Sequence, residues 1–256
     1  MSDLPTLWTH SPSTVLRFQP GQSIADLARD SSPGFKGSKA DAPAIQTERN
    51  ERFAQLQEML YANGKEGDNR SVLLVLQGMD TAGKGGIVEH VVGAGSPMGI
   101  RYRAFGVPTE TERKHHYLWR IRNALPGPGL VGVFDRSHYE DVLIVRVHNL
   151  VPPEVWGKRY DEINRFEQKL VESGTAIIKV AMFVSLDEQK RRLAKRLDSP
   201  DKYWKYNPAD LDERALWPAY QEAYQAVLDK TSTDSAPWYV VPSDKKWYSR
   251  LAITEL

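Results

Sequence analysis

The apolar run Val72-Leu73-Leu74-Val75-Leu76 leads through Gln77 into Gly78-Met79-Asp80-Thr81-Ala82-Gly83-Lys84. No other feature constrains the fold as much. A short unbroken apolar run reads as a strand buried on both faces, which is the habit of parallel sheets. The loop behind it has the form G-x-x-x-x-G-K (Walker A). Backbone N–H groups in such a loop converge on phosphate oxygens, the following helix N-terminus adds positive potential, and the lysine adds a full charge. With its strand in front and an amphipathic segment behind, the loop reads as a phosphate site rather than a tight strand-to-helix turn without a ligand.

One position departs from the pattern. The Ser or Thr that normally follows the lysine and ligates Mg²⁺ is Gly85 here. Asp80, inside the loop, is a carboxylate beside phosphate, which is unfavourable unless a cation lies between them. Asp80 is therefore read as a Mg²⁺ ligand, partly through water; the other reading is a turn or helix-capping aspartate.

The 256 residues suit one α/β domain with a good core. Residues 1–46 are rich in Pro, Ser and Gly and read as an irregular arm; 47–256 form the phosphate-loop domain. A helix is expected over 47–62, carrying Phe53, Leu56, Met59 and Leu60 at helical spacing. Further helices are expected over 84–92, 110–125 and 217–228, the second stopped by Pro126-Gly127-Pro128-Gly129. Strands are expected over 72–76, 102–107, 130–134, 176–184 and 238–241. Ser185 and Glu188 form an S-x-x-E box that opens a basic helix, and about 189–214 read as a lid. Strands alternating with helices mean a five-stranded parallel sheet with helices on both faces.

A second acidic strand end carries more chemistry. Leu130-Val131-Gly132-Val133-Phe134-Asp135 is an apolar strand closed by a carboxylate, the place that holds Mg²⁺ in phosphate-loop enzymes (Walker B). Arg136 follows and reaches phosphate oxygens bidentately. Glu140 reads either as a helper in metal or nucleotide binding or as a first-turn acid facing solvent. His115, His116 and His138 make no convincing metal set. Residues 189–196 hold five basic residues in eight positions, and Lys202, Lys205 and Arg214 follow. This basic face implies an anionic ligand, unless it is only a solvated helix face.

The rest excludes more than it assigns. A net charge of +1 names no partner, and with 0 Cys there is neither a disulfide nor a thiolate metal site. No apolar run approaches the ~18 residues of a bilayer span. The first residues lack a basic segment followed by an apolar one, so a cytoplasmic setting is expected, with no membrane or nucleic-acid partner.

These motifs together resemble the polyphosphate kinase 2 family. Gly78 to Gly86 is similar to its signature loop, Gly85 included, and Phe134-Asp135-Arg136-Ser137-His138-Tyr139-Glu140-Asp141-Val142 to its second motif. Tyr117-Leu118-Trp119-Arg120, Leu125-Pro126 and Gly129 match the segment between them. Glu188-Gln189, Arg192, Arg196, Pro200, Lys202 and Trp204-Lys205 look like its lid, and Ala236-Pro237-Trp238 also fits. The likeness runs from about 46 to 251.

The resemblance implies a phosphate-loop kinase fold like that of thymidylate kinase, and phosphoryl transfer between polyphosphate and nucleotides with Mg²⁺, or Mn²⁺ in its place. By resemblance Asp80 and Asp135 organise the metal, and Lys84 and Arg136 hold the transferring group. Gly78, Thr81, Ala82, Gly83, Gly85 and Gly86 line the phosphate site, with Arg146, Arg192, Arg196, Lys202 and Lys205 on the polyphosphate chain. Asp80, Arg113 and Glu140 are expected at the nucleotide, and a homo-oligomer, dimer or tetramer, is expected. His138-Tyr139-Glu140-Asp141-Val142 resembles the subgroup that accepts both AMP and ADP; relatives limited to one step carry Trp-Tyr-Asn at the first three positions. An ATP-dependent nucleotide kinase of the same fold and a non-catalytic phosphate-binding module are the competing readings.

Overall fold

A computed structural model describes residues 7–198, 200–205 and 207–256, the side chains of Asp201 and Lys202 excepted. Along the chain lie α1 (Pro12–Val15), α2 (Ala42–Lys65), β1 (Ser71–Gly78), α3 (Lys84–His90), β2 (Ile100–Ala104), α4 (Glu110–Arg113), α5 (Leu118–Arg122) and β3 (Val131–Asp135). There follow α6 (Ile144–Val147), α7 (Pro153–Glu172), β4 (Thr175–Phe183), α8 (Leu186–Leu197), α9 (Ala209–Ala215), α10 (Trp217–Thr231), β5 (Trp238–Pro242) and α11 (Lys246–Glu255). The five strands form one parallel sheet in the order β2-β3-β1-β4-β5, as the alternation of elements requires.

β1 is central because its run Val72–Leu76 is apolar: Leu73, Val75 and Leu76 have no exposed surface. One hydrophobic cluster lies on each side of the sheet, one containing Leu73, Phe134 and Ile163, the other Leu76, Val133 and Val180. Edge strand β2 is exposed and carries Arg101 and Arg103, charges that discourage pairing with another chain. The other edge is covered. Phe18 N donates to Trp238 O (2.8 Å) and Val240 N to Leu16 O (2.7 Å), so the N-terminal arm runs antiparallel along β5. The arm also buries Leu16, Phe18, Ile24 and Phe35. It is packed into the domain, and the expected boundary at 46/47 falls inside α2.

Other expectations shift for physical reasons. The period that predicted α2 is real, but Leu56 and Met59 face outward and the polar Gln57 is buried, its Oε1 accepting from Ser96 N at 2.9 Å. The helix expected over 110–125 is two short ones, α4 and α5. Thr109 and Glu112 cap the first reciprocally, which fixes a separate start. α7 and α11 are absent from the helices expected from sequence; nine of the twenty residues of α7 are charged, and Tyr160, Ile163, Phe166 and Glu167 are its buried ones. Among the described residues no helix is long and apolar enough to cross a membrane.

Candidate active site

The carboxyl ends of β1 and β3, neighbours in the sheet, supply the site. Connections from β1 and β3 leave from that edge, and such a crevice is where open parallel sheets bind ligands. Gly78 ends β1 with Met182 O so near that an added Cβ would lie 2.8 Å from it. Gly83 begins α3 at φ 114°, a conformation that glycine adopts without strain. Thr81 is left-handed too, at φ 65°, and its buried Oγ1 has no partner among the described residues. Lys84 is buried, its Nζ donating to Gly78 O at 2.5 Å. Burial, and then Arg136, push the Lys84 ammonium below its ordinary value, against the pull of Asp135, Asp80 and Glu140.

Arg136 lies on the opposite wall. Its Nη2 donates to Asp80 Oδ1 at 3.1 Å. Burial works against its charge, but Glu140, Asp80, Tyr224 and Asp135 together raise it above its ordinary value. The Arg136 backbone stands at φ 63°, which costs a non-glycine residue roughly 1–2 kcal/mol. That turn has a use. Successive strand residues point to opposite faces, yet Asp135 and Arg136 line the same cleft, because the left-handed residue swings its side chain back. Gln77, with Nε2 donating to Glu140 Oε1 (3.0 Å), ties Glu140 to β1. Burial raises the Glu140 carboxyl above the usual range, against Arg136 and Lys84.

The cleft over the loop measures about 1060 Å³ and contains Asp80, Lys84, Asp135 and Arg136. Among the described residues, eleven Lys and Arg side chains line it against five Asp and Glu, so its charge suits a polyanion. A smaller cavity of about 230 Å³ lies behind it, lined by Met79, Glu140, Leu143, Ile144, Tyr220 and Tyr224. The two cavities share Asp80 and Arg136.

The lid residues divide. Arg196 and Lys205 line the large cleft, although Arg196 is paired with Asp210 at 2.7 Å. Arg192 also borders it, but its donors are taken: Nη1 by Thr81 O (2.8 Å), Nη2 by Ser243 O (2.7 Å) and Asp244 O (2.8 Å), and Nε by Glu188 (2.6 Å). Its geometry is that of a tether holding the phosphate loop to the β5–α11 turn. The side chain of Lys202 lies outside the described residues. Arg146 lines neither cavity; it stacks on Trp156 (5.0 Å) and reaches Tyr160 Oη (3.3 Å). Arg113 is exposed on α4 and also lines neither. His138 is buried against Glu167, and no group of three or more His, Asp or Glu among the described residues is placed to hold a metal.

Sequence reasoning missed one wall of the cleft altogether. Lys39 from the arm and Lys245, Lys246 and Arg250 around the start of α11 border it, none within an ion-pair distance of a carboxylate among the described residues. Arg250 lies over Gly86, whose added Cβ would come 3.4 Å from its Nη2. The signal was a Lys-Lys pair just past the fifth strand, on the same sheet edge as the loop.

Three comparisons converge. The family described as Polyphosphate kinase 2 matches residues 36–256. An AMP/ADP-polyphosphate phosphotransferase of Meiothermus ruber is 47% identical over 227 residues, spanning 89% of this chain and 84% of that protein. An ADP-polyphosphate phosphotransferase of Rhodopseudomonas palustris is 42% identical, over 80% of this chain and 74% of that one. The crystal structure of polyphosphate kinase 2 from Arthrobacter aurescens TC1 superposes with a TM-score of 0.95 at 52% identity, covering 97% of this chain and 88% of that one.

Proposed function

The chain belongs to the polyphosphate kinase 2 family, and on that premise we propose that it transfers the terminal phosphoryl group of inorganic polyphosphate to AMP and then to ADP, reversibly and with Mg²⁺. One observation carries the reading beyond family membership. A large cationic cleft and a small, partly aromatic cavity meet at Asp80 and Arg136. The first suits the donor chain and the second the acceptor's nucleoside end, so the reacting phosphates would meet at the shared residues.

In this reading an oxygen of the acceptor's terminal phosphate attacks the terminal phosphorus of the chain, and the bridging P–O bond behind it breaks. The bond electrons stay on the departing oxygen of the shortened polyphosphate. Such a transition state asks the protein for positioning and charge neutralisation more than for a nucleophilic side chain. Lys84 and Arg136 carry the charge on either side of the group in flight. The loop residues cradle it, Gly85 and Gly86 leave room beside it, and Arg192 keeps the loop in place. Arg196, Lys205, Lys245, Lys246 and Arg250 would follow the chain outward.

Asp80 and Asp135 are among the acids that line the cleft, and among the described residues no third His, Asp or Glu joins them in a metal-holding group. That set fits Mg²⁺, which binds through one or two carboxylates and takes its other ligands from phosphates and water. Asp80 and Asp135 would hold it, and when bound it supplies charge neutralisation between phosphate oxygens.

Use of both acceptors follows from a repeating donor. Cations that bind phosphate units without regard to register let the chain shift by one unit when the acceptor has grown by one. The proposal includes a cytoplasmic setting and a homo-oligomer, for which light scattering is the check. The decisive experiment supplies AMP, Mg²⁺ and long-chain polyphosphate as sole donor and follows nucleotides by chromatography. ADP should rise first and ATP later. No reaction without ATP would make the chain an ATP-dependent kinase; accumulation of ADP alone would limit it to one step.

A further inference from the structure

Beneath the second motif lies a charged cluster that the chemistry above does not use. Lys179 on β4 and Glu167 on α7 are 0% and 2% exposed, and His138 and Tyr139 are both 0% exposed. Lys179 Nζ donates to Glu167 Oε2 at 2.6 Å and to Thr231 O at 2.7 Å. The other carboxylate oxygen, Oε1, accepts from Tyr139 Oη at 2.7 Å and lies 3.0 Å from His138 Nε2. Two consecutive side chains of the motif thus end on one oxygen of one distant carboxylate.

Such a cluster is an expensive way to fill a core, since apolar side chains of the same volume often stabilise as well or better. Its place in the chain accounts for the expense. Asp135 and Arg136 come just before the two pinned residues, and Glu140 just after. Arg136 must keep its left-handed backbone for its guanidinium to share the cleft with Asp135. A strained residue persists only where its surroundings over-determine it. On its N-terminal side Arg136 N donates to Leu76 O at 3.0 Å, extending the ladder. On its C-terminal side Ser137 Oγ accepts from Tyr139 N at 3.2 Å, and beyond that the anchors are His138 and Tyr139 on Glu167.

We propose that Glu167 is a positioning residue for phosphoryl transfer: by receiving His138 and Tyr139 it holds the turn that aims Arg136 at the transferring group. The inference rests on the function proposed above. Misplacing a positioned group by about 1 Å costs on the order of 100-fold in rate, so loosening the anchor lowers turnover before it lowers binding.

The test is a double-mutant cycle on polyphosphate-dependent turnover, with wild type, Glu167→Gln, Arg136→Lys and the pair. Glu167→Gln should lower kcat roughly tenfold or more while KM for AMP and polyphosphate stays within about twofold. In the Arg136→Lys background, which retains a shorter cation, the same change should cost far less. Equal fold losses in both backgrounds, a loss confined to KM, or wild-type kcat in Glu167→Gln would overturn the proposal. If Glu167→Gln does not fold because Lys179 is left unpaired, Tyr139→Phe replaces it. That change keeps the ring and the Glu167–Lys179 pair, and a several-fold kcat loss that shrinks in the Arg136→Lys background is expected, with the same three outcomes counting against it. A wild-type protein with no polyphosphate-dependent turnover would overturn the reading beneath the inference instead.

Discussion

The floor of the cleft and its lid both use ion pairs, but at different depths. Under Arg136, Lys179 and Glu167 are sealed from water, and Arg192 binds the phosphate loop with its side chain 5% exposed. In the lid, Arg196 and Asp210 meet at 22% and 13% exposure. Buried pairs hold geometry because breaking one leaves an uncompensated charge. A half-buried pair reached by water is screened more and exchanges more readily for other partners. The difference teaches where this protein must be rigid and where it must let a long anion in and out. On the proposed function, a phosphate group in the cleft would compete easily with Asp210 for Arg196, and poorly with the carbonyls of Thr81, Ser243 and Asp244 for Arg192.

The largest effect that contrast leads us to expect is at Lys84. Lys84→Ala should lower turnover by about 10³-fold or more, with the folded structure kept, as judged by circular dichroism; near-normal turnover would remove the phosphate-loop assignment. Asp80→Asn and Asp135→Asn should each cost about 100-fold and raise the Mg²⁺ concentration needed for half-maximal rate. Metal titrations identical to wild type would contradict the carboxylate roles.

Arg192→Ala probes the floor by stability. Carbonyls of the loop and of the β5–α11 turn lose their donor and Glu188 loses a partner, so a loss of about 3 kcal/mol is expected in urea unfolding. An unchanged midpoint would show that the tether is not needed. The lid should respond differently. Arg196→Ala and Lys205→Ala should leave stability within about 0.5 kcal/mol and raise KM for long-chain polyphosphate several-fold, an effect that shrinks as salt is added. A salt-independent change would mean that the lid acts by shape.

The smallest expected effect is on pH dependence. Hydrogen bonds from Arg191, and then from Arg192, hold the Glu188 carboxyl at about 2, below its ordinary 4.5. A carboxyl depressed on folding contributes stability that is fully present above its unfolded value. That contribution should be lost as pH falls from about 4.5 toward about 2. In Glu188→Gln this part of the acid slope should disappear from a thermal melt series; an identical slope in both proteins would assign it to other carboxyls.

The central features were readable from sequence because each is local. The strand, the loop and Asp135–Arg136 each announce themselves within ten residues, and the strand periods give the sheet. What stayed hidden depends on packing between distant segments. Arg192 looked like a ligand for phosphate because a basic run shows its charge and not which carbonyls will surround it. Glu167 sits in a helix with nine charged residues among its twenty, and nothing local marks it as the one acid turned inward. Lys39 and Arg250 reach the cleft from opposite ends of the chain, a meeting that only the finished topology creates.

The arm along β5 has a consequence for how the protein is made. Residues 16–18 are synthesised more than 200 residues before their partners Trp238 and Val240. Contacts so far apart in sequence form late, since the loop between them must close first. The central strand β1 and its neighbours β3 and β4 all precede β5 in the chain. The strip that will cover β5 must wait beside a sheet whose last strand does not yet exist. During that interval the growing edge, first β4 and then β5, is the surface through which nascent chains would pair with one another, and docking of the arm ends that exposure.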